Sequence, residues 1–459
     1  MSLLPLSDQE LKTIDEASMK ILAETGVQFN YPPALKTLQK KGAKVEEDLV
    51  FFPPEMVKEY LREVPSSFLL QAINPERDVE LGAGVPVTGP PSGALNIAQK
   101  QGEPRPARGE DYLRLAKLVQ TSPVIDLNGT GIVIPAEMDE REYNFFAFYN
   151  LLGISDKPFM TACRGTENVR HSLTMMEIVS RRANLLGIAN VNTPLIYDQS
   201  ALEGIIEFCR AGQPLLIASC GMAGSTSPIS LQGTVALTNA EILAGLVYAQ
   251  ALNPGQPVIY GNTSTVTNMK DMNLSLGAPE TALINAASGQ LADYYGLPFR
   301  SGGGLSDAGS LDIKAGYEAM MNLMVSYLTG FDLIMHDGGI LDSFMTVSYE
   351  KLMVDEEIIS IIKKYLKGMD RDGLKPSMNE IMERCPGGHF LDSDTTLQGF
   401  KTEFKSPLFS GDNLFQQAKD EWQRRLDDYH PPELEQRVKG ELESYCREEL
   451  DDQFSILEE

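Results

Sequence analysis

The sequence predicts an α/β fold of the (β/α)8 barrel (TIM barrel) type, with an N-terminal helical segment and a C-terminal helical extension. Three observations predict it. Short apolar runs of strand length alternate with helical patterns at a spacing of about 30 to 40 residues, the length of a βα unit. Strands separated by helices imply a parallel sheet, and eight such units favour closure over an open, doubly wound sheet. The chain has 459 residues, 42% of them hydrophobic, enough for a barrel of ~250 residues and added helices. The expected division is residues 1–84 for N-terminal helices and a hairpin, 85–345 for the barrel, and 346–459 for C-terminal helices and a Gly-rich loop.

The elements follow in order. Ser7 and Glu10 have the spacing of a capping box before an amphipathic stretch over residues 11–22. Residues 32–41 and 53–63 predict two short helices, and residues 68–97, rich in Gly, Pro and β-formers, predict hairpins or short strands. The first barrel strand is expected within residues 85–97. Seven further helix-then-strand pairs start at residue 110. Their strand segments are VIDLNGTGIVI, KPFMTACRGT, NLLGIANVN, QPLLIASCG, QPVIYGNTS, LPFRSGGG and FDLIMHDGG. Thr238 and Glu241 predict a capping box, and Pro279 a first helical position. Beyond residue 345, SYEKLMVDEEIISIIKKYLKG predicts a helix, MERCPGGHFLDSDTTLQGF a polar loop, and residues 413–459 an acidic helical tail holding the single Trp, Trp422.

Composition excludes several classes. A net charge of −25 opposes binding to nucleic acid or to anionic membranes, since both need clustered Lys and Arg. Five cysteines without a CxxC pair predict reduced thiols rather than a disulfide framework, hence a cytoplasmic home. The N-terminus lacks the marks of a signal peptide, and no apolar run reaches the ~20 residues of a membrane span. The four histidines form neither HxH nor HExxH, so no metal site is expected. A P-loop and a GxGxxG fingerprint are also absent.

In a barrel of this type, functional groups project from the C-terminal ends of the strands. The loops picked out in this way hold Asn, Ser, Thr and Gly and little charge. Two positions stand out. Arg300 ends one strand and precedes the glycine run 302–304; His336 and Asp337 end the next. Neighbouring strands lie ~4.8 Å apart, so these groups can share a pocket, where Arg and His would bind a carboxylate. The competing reading is that Arg300 pairs with Asp307 or Asp312 to hold its loop. Phe344 follows on the same segment, and Tyr197 and Tyr260 lie at other strand ends. Aromatic faces attract quaternary ammonium groups. The glycine run could instead cradle a phosphate, as in a barrel lyase or aldolase acting on an anionic metabolite. A non-catalytic module that binds such a cation is a further alternative.

The stretches SGGGLSDAGSLDIKAGYEAM, FDLIMHDGGILDSFMTVSYEKLMVDEEI and CPGGHFLDSDTT resemble those of the trimethylamine methyltransferase superfamily, as do EASMKILAETGVQF and VFFPPEMV near the N-terminus. The resemblance spans nearly the whole chain. It implies a barrel that moves a methyl group from an amine to the cob(I)alamin of a separate corrinoid protein. The members that act on trimethylamine carry pyrrolysine; this chain has only standard residues and so resembles the non-pyrrolysine branch. That branch demethylates quaternary amines such as glycine betaine, proline betaine and carnitine. The resemblance implies substrate binding by Arg300, His336 and Phe344, with cobalamin supplied by the partner and no acid or base required. Asp337, Tyr260 and Tyr197 complete the expected substrate-binding set, and a homo-oligomer is also expected.

Overall fold

Eight parallel strands lie at the centre of the computed structural model, which describes residues 4–99, 103–369 and 373–450. In chain order they are β1 (Val87–Thr88), β2 (Asn128–Gly129), β3 (Phe159–Ala162), β4 (Leu185–Asn190), β5 (Leu215–Ser219), β6 (Val258–Asn262), β7 (Phe299–Gly302) and β8 (Leu333–Met335). A helix follows each: α1 (Gly109–Thr121), α2 (Glu140–Ile154), α3 (Thr166–Val179), α4 (Gln199–Arg210), α5 (Leu231–Leu252), α6 (Pro279–Tyr295), α7 (Ile313–Leu328) and α8 (Tyr349–Lys367). Ladders join β2 through β8 in sequence, and β8 pairs with β1 with Leu333 opposite Val87. At the remaining seam, the N–H groups of Asp126 and Leu127 donate to the Thr88 carbonyl at 2.9 and 3.0 Å. A parallel bridge from Ala94 to Val133 continues that seam toward the rim. The predicted eight-unit barrel is therefore the architecture, and its first strand falls inside residues 85–97.

The two-residue period of the strands separates two cores. On β5, Leu216 and Ala218 point into the barrel, while Leu215 and Ile217 join the cluster beneath the helices. The inner cluster also takes Leu70 and Leu81 from an antiparallel hairpin, Phe68–Leu70 against Val79–Leu81. This hairpin seals the N-terminal end of the barrel. The Asn184 N–H, just before β4, donates to the Gln71 carbonyl at 2.8 Å, and the Asn74 N–H to that of Asp156, just before β3, at 3.2 Å. A ligand is left the opposite end, where the strands finish.

The N-terminal helices Asp8–Lys20, Pro32–Lys40 and Pro54–Leu61 pack on α5, and the Ser7–Glu10 capping box is present. Helix α5 is the one helix among the described residues long and apolar enough to cross a membrane. Buried positions make up 89% of its apolar window, the pattern of a core helix.

Two expectations need correction. Thr238 and Glu241 do not start a helix: α5 begins after Ser230, whose hydroxyl accepts from the Gly233 N–H. Both residues are buried in mid-helix. Thr238 donates to the Thr234 carbonyl, and Glu241 grips the loop after β4 through Thr193 and the Leu195 N–H. The polar stretch after α8 is not all loop. It contributes to α9 (Leu374–Arg384) and α10 (Asp394–Glu403), so only the Cys-Pro-Gly-Gly turn and its flank are irregular. The tail is helical as expected, in two helices, α11 (Leu414–Asp427) and α12 (Gln436–Leu450), separated where consecutive prolines, Pro431 and Pro432, stop helix propagation; its last residues, 451–459, lie outside the described residues.

Candidate active site

A cavity of about 360 Å³ opens at the C-terminal rim of the barrel. Its wall comes from the ends of β3, β4, β7 and β8 and from the loops after β1, β2 and β6. The polar side chains on it are Ser92, Thr161, Arg164, Asn190, Thr263, Arg300 and His336; the apolar ones include Met160, Ile188, Met335 and Phe344. No carboxylate is among these lining residues.

Arg300 and His336 are brought together as expected. β7 and β8 are adjacent, with Arg300 opposite Leu333, and the ends of these strands carry the two side chains into one corner. Arg300 Nη2 lies 3.1 Å from His336 Nε2. A guanidinium has only donors, so Nε2 must accept and the ring proton resides on Nδ1. Burial and the adjacent guanidinium push the His336 pKa well below its ordinary value, which keeps the ring neutral. Burial also lowers Arg300, to about 10, still far above neutrality, so Arg300 carries the positive charge of this corner. Arg300 Nε and His336 Nδ1 are both buried without a hydrogen-bond partner. This corner therefore holds a cation and two donors that no acceptor of the chain satisfies. The competing partners are occupied elsewhere. Asp307 accepts from the N–H groups of Leu276 and Gly277, and Asp312 caps α7.

Phe344 also lines this corner, its ring centroid 4.8 Å from that of His336. It arrives there through a left-handed turn: Asp342, Ser343 and Phe344 have φ of 50°, 51° and 77°, and His336 has 61°. Non-glycine residues in this region are strained, and such strain gathers at functional sites held by surrounding structure. Ser343 is held by its hydroxyl on Asp307 at 2.7 Å.

The remaining three residues of the expected set lie elsewhere. Asp337 is fully buried but faces away from the cavity. A Cβ on Gly303 would stand 2.1 Å from its Oδ1, so glycine is required there. The glycine run thus serves close packing rather than an anion: Gly304 donates its N–H to the His336 carbonyl at 2.9 Å. Tyr260 points outward to Asn239 on α5, and the Tyr197 hydroxyl donates to the Glu241 carbonyl on the same helix. Tyr260 stands in the middle of β6 on the outward parity, and Tyr197 lies beyond β4 on a short strand, Ile196–Tyr197, that pairs with Val27–Phe29 outside the barrel. Sequence reasoning located the Asn- and Thr-bearing loops but did not single out Thr161, Asn190 or Thr263, and it passed over Ser92. Inward parity with Leu186 and Ile188 was the signal available for Asn190; Thr161 shares the parity of outward Phe159, and Thr263 and Ser92 lie on loops.

Among the described residues, no group of three or more His, Cys, Asp or Glu is gathered as metal ligands. The five cysteines are unpaired, with Cys220 exposed near the rim.

A sequence profile of the trimethylamine methyltransferase family matches residues 2–452. Glycine betaine methyltransferase of Desulfitobacterium hafniense is 38% identical over 460 residues, covering 96% of each chain. Proline betaine:corrinoid methyltransferase of Eubacterium limosum is 30% identical, covering 97% of each. L-carnitine:corrinoid methyltransferase of the same organism is 29% identical over 84% of this chain and 82% of its own. The solved monomethylamine methyltransferase of Methanosarcina barkeri shares the fold, with a TM-score of 0.58 and 10% identity over 94% of this chain and 89% of that one.

Proposed function

This chain belongs to the trimethylamine methyltransferase family, and from that premise we propose that it demethylates a carboxylated quaternary amine, glycine betaine or a close relative, for the benefit of a corrinoid protein. The relatives named above are betaine and carnitine methyltransferases, so the reaction class is methyl transfer from a quaternary amine to a corrinoid. The carrying observation is the Arg300–His336 corner with its two free donors, in a cavity whose wall offers no carboxylate. That asymmetry suits a zwitterion entering carboxylate first. Its ammonium would then lie against Phe344 and the thioethers of Met160 and Met335, where a cation is favoured by aromatic faces and excluded from water.

The chemistry needs no proton transfer from the protein. The C–N bond breaks, both electrons stay on nitrogen, and a neutral tertiary amine leaves. The corrinoid supplies the nucleophile that takes the methyl group. A cavity of about 360 Å³ suits the substrate and cannot enclose a corrin ring, so the acceptor would approach from the open rim on a partner protein. Arg300 and His336 orient the substrate by its carboxylate, and the buried end excludes water; positioning is the whole contribution. Unpaired thiols and an acidic composition accord with work in the cytoplasm. Substrate discrimination tests this reading. Isothermal titration should detect glycine betaine and proline betaine, and only weaker binding of choline, which lacks the carboxylate. Equal affinity for choline would remove the anion corner from the account.

A further inference from the structure

The loop after β8 brings Phe344 to the cavity through three consecutive non-glycine residues in the left-handed region, Asp342, Ser343 and Phe344. Side chains disfavour that region, so such a turn persists only where its surroundings impose it. The hydrogen bonds that reach Asp342 and Ser343 from outside their own loop come from one segment, residues 306–308, in the loop after β7. The Asp342 N–H donates to the Ala308 carbonyl at 2.9 Å, the Ser343 N–H to the Ser306 carbonyl at 3.3 Å, and the Ser343 hydroxyl to Asp307 Oδ1 at 2.7 Å. That segment is tied on two further sides. Asp307 accepts the Leu276 N–H at 2.8 Å and the Gly277 N–H at 2.9 Å, both in the loop after β6. Buried Glu318 of α7 accepts from the Ser306 hydroxyl at 2.7 Å and from the Asp307 N–H at 2.9 Å. A Cβ on Gly277 would stand 2.2 Å from the Glu318 carboxyl carbon, so only glycine lets the loops close this tightly.

We propose, resting on the betaine reading, that Asp307 is a positioning residue for the ammonium end of the substrate, acting through Ser343 on Phe344. Asp307 is not on the cavity wall, whereas Phe344 is. Of the three hydrogen bonds its carboxylate accepts, two fix it to the loop after β6 and the third reaches the turn one residue before Phe344. The place of the ring is thus set by an anion on a different loop. The carboxylate corner does not depend on it: Arg300 sits on β7 itself, His336 directly after β8, and the two bond each other. Without the Ser343 hydroxyl bond the turn relaxes toward ordinary backbone, which takes the ring off the ammonium and leaves the corner in place. Asparagine is no substitute for Asp307. Three donors converge on two oxygens, and an amide would turn its NH2 group toward one of them.

Isothermal titration of glycine betaine into Ser343→Ala and Asp307→Asn, each made in the parent and in a Phe344→Ala background, tests it. With the ring present, each substitution should weaken binding roughly 3- to 10-fold; with the ring absent, each should change Kd by less than about twofold, because nothing is left to position. A general loss of structure would weaken both backgrounds alike. Ser343→Ala keeps the Asp307 bonds to Leu276 and Gly277, so it reads the same link where Asp307→Asn folds poorly. Hydrogen exchange without substrate gives a second reading: amides of residues 342–346 should exchange at least about tenfold faster in Ser343→Ala than in the parent, with β7 and β8 unchanged. Equal losses with and without the ring, a parental Kd in Ser343→Ala, or parental exchange at residues 342–346 would each overturn the proposal and leave the betaine reading standing. A parent that binds neither glycine betaine, proline betaine nor carnitine would remove that reading and the proposal with it.

Discussion

The ammonium of Lys351 sits 2.5 Å from Asp355 Oδ2, both side chains 1% exposed, and the pair staples the two loops that follow Arg300 and His336. Lys351 donates to the Gly304 carbonyl and Asp355 accepts from the Gly339 N–H, each at 2.8 Å. Gly304 lies four residues after Arg300, and Gly339 three after His336. One turn of α8 thus ties both strands' loops to a single rigid element. Lys351→Met leaves a buried charge without its partner and should cost about 3–5 kcal/mol in urea denaturation. Replacing both, Lys351→Met with Asp355→Leu, should restore most of that stability while the loops stay unheld, so KM for a betaine should rise. A paired variant with parental KM would show that the loops need no staple.

Arg300→Ala should act on binding far more than on turnover. A charge-assisted hydrogen bond contributes about 1.5–3 kcal/mol, so KM for glycine betaine should rise roughly 10- to 150-fold. For choline the change should be small. Arg300→Lys should not restore the parental value, because an ammonium cannot both meet His336 and offer a second planar donor. Steady-state kinetics with the two substrates separates this from general damage to the barrel.

Phe344 is tested by two substitutions together. Loss of the ring in Phe344→Ala should weaken quaternary ammonium binding by about 0.5–2 kcal/mol, roughly 2- to 30-fold in Kd. Phe344→Gly should bind as weakly, yet be more stable by about 1 kcal/mol, since φ is 77° at this position. Titration calorimetry and thermal melts on the same pair give both numbers. Tight binding without the ring would place the ammonium elsewhere.

Asp337 should make stability pH-dependent with a predictable sign. Burial, its largest cause, raises the folded pKa well above the ordinary value, and neither oxygen has a hydrogen-bond partner. The folded state therefore holds a proton that the unfolded chain gives up near pH 4. Stability contributed by this proton is complete below that point and is lost as pH rises toward the folded pKa. Asp337→Asn removes the loss. The variant should be more stable than the parent at pH 8, by roughly 1 kcal/mol or more, with the gap closing as pH falls toward 4. Buried His336, its pKa lowered, acts with the opposite sign: it costs stability below about pH 6.5 in both proteins and cancels in the comparison.

The barrel was legible because its signal is repeated: eight strand-like runs at βα spacing leave few other architectures. The Arg300–His336 corner was legible because both residues end neighbouring strands, and ladder order then brings them together. What local sequence could not settle was direction and context. Tyr260 lies on β6 but faces outward, and Tyr197 falls past the end of β4 on a short strand paired with Val27–Phe29. Asp337 is one residue past His336 and so takes the other side of the wall. Thr238 and Glu241 match a helix start by spacing, but their side chains have long-range uses in the interior of α5. The helices α9 and α10 were hidden because their apolar faces meet no core within the chain, and composition alone makes that stretch look like loop.

The most direct test of the central claim is a stoichiometric one. The purified chain, its corrinoid protein reduced to the cob(I)alamin state, and glycine betaine are mixed without oxygen, and the corrinoid absorbance is followed alongside dimethylglycine. One methylated corrinoid should form for each dimethylglycine released, and Arg300→Ala should slow both together at low substrate. Persistence of the reduced corrinoid with glycine betaine, proline betaine and carnitine alike, under conditions where the chain is folded, would contradict the account.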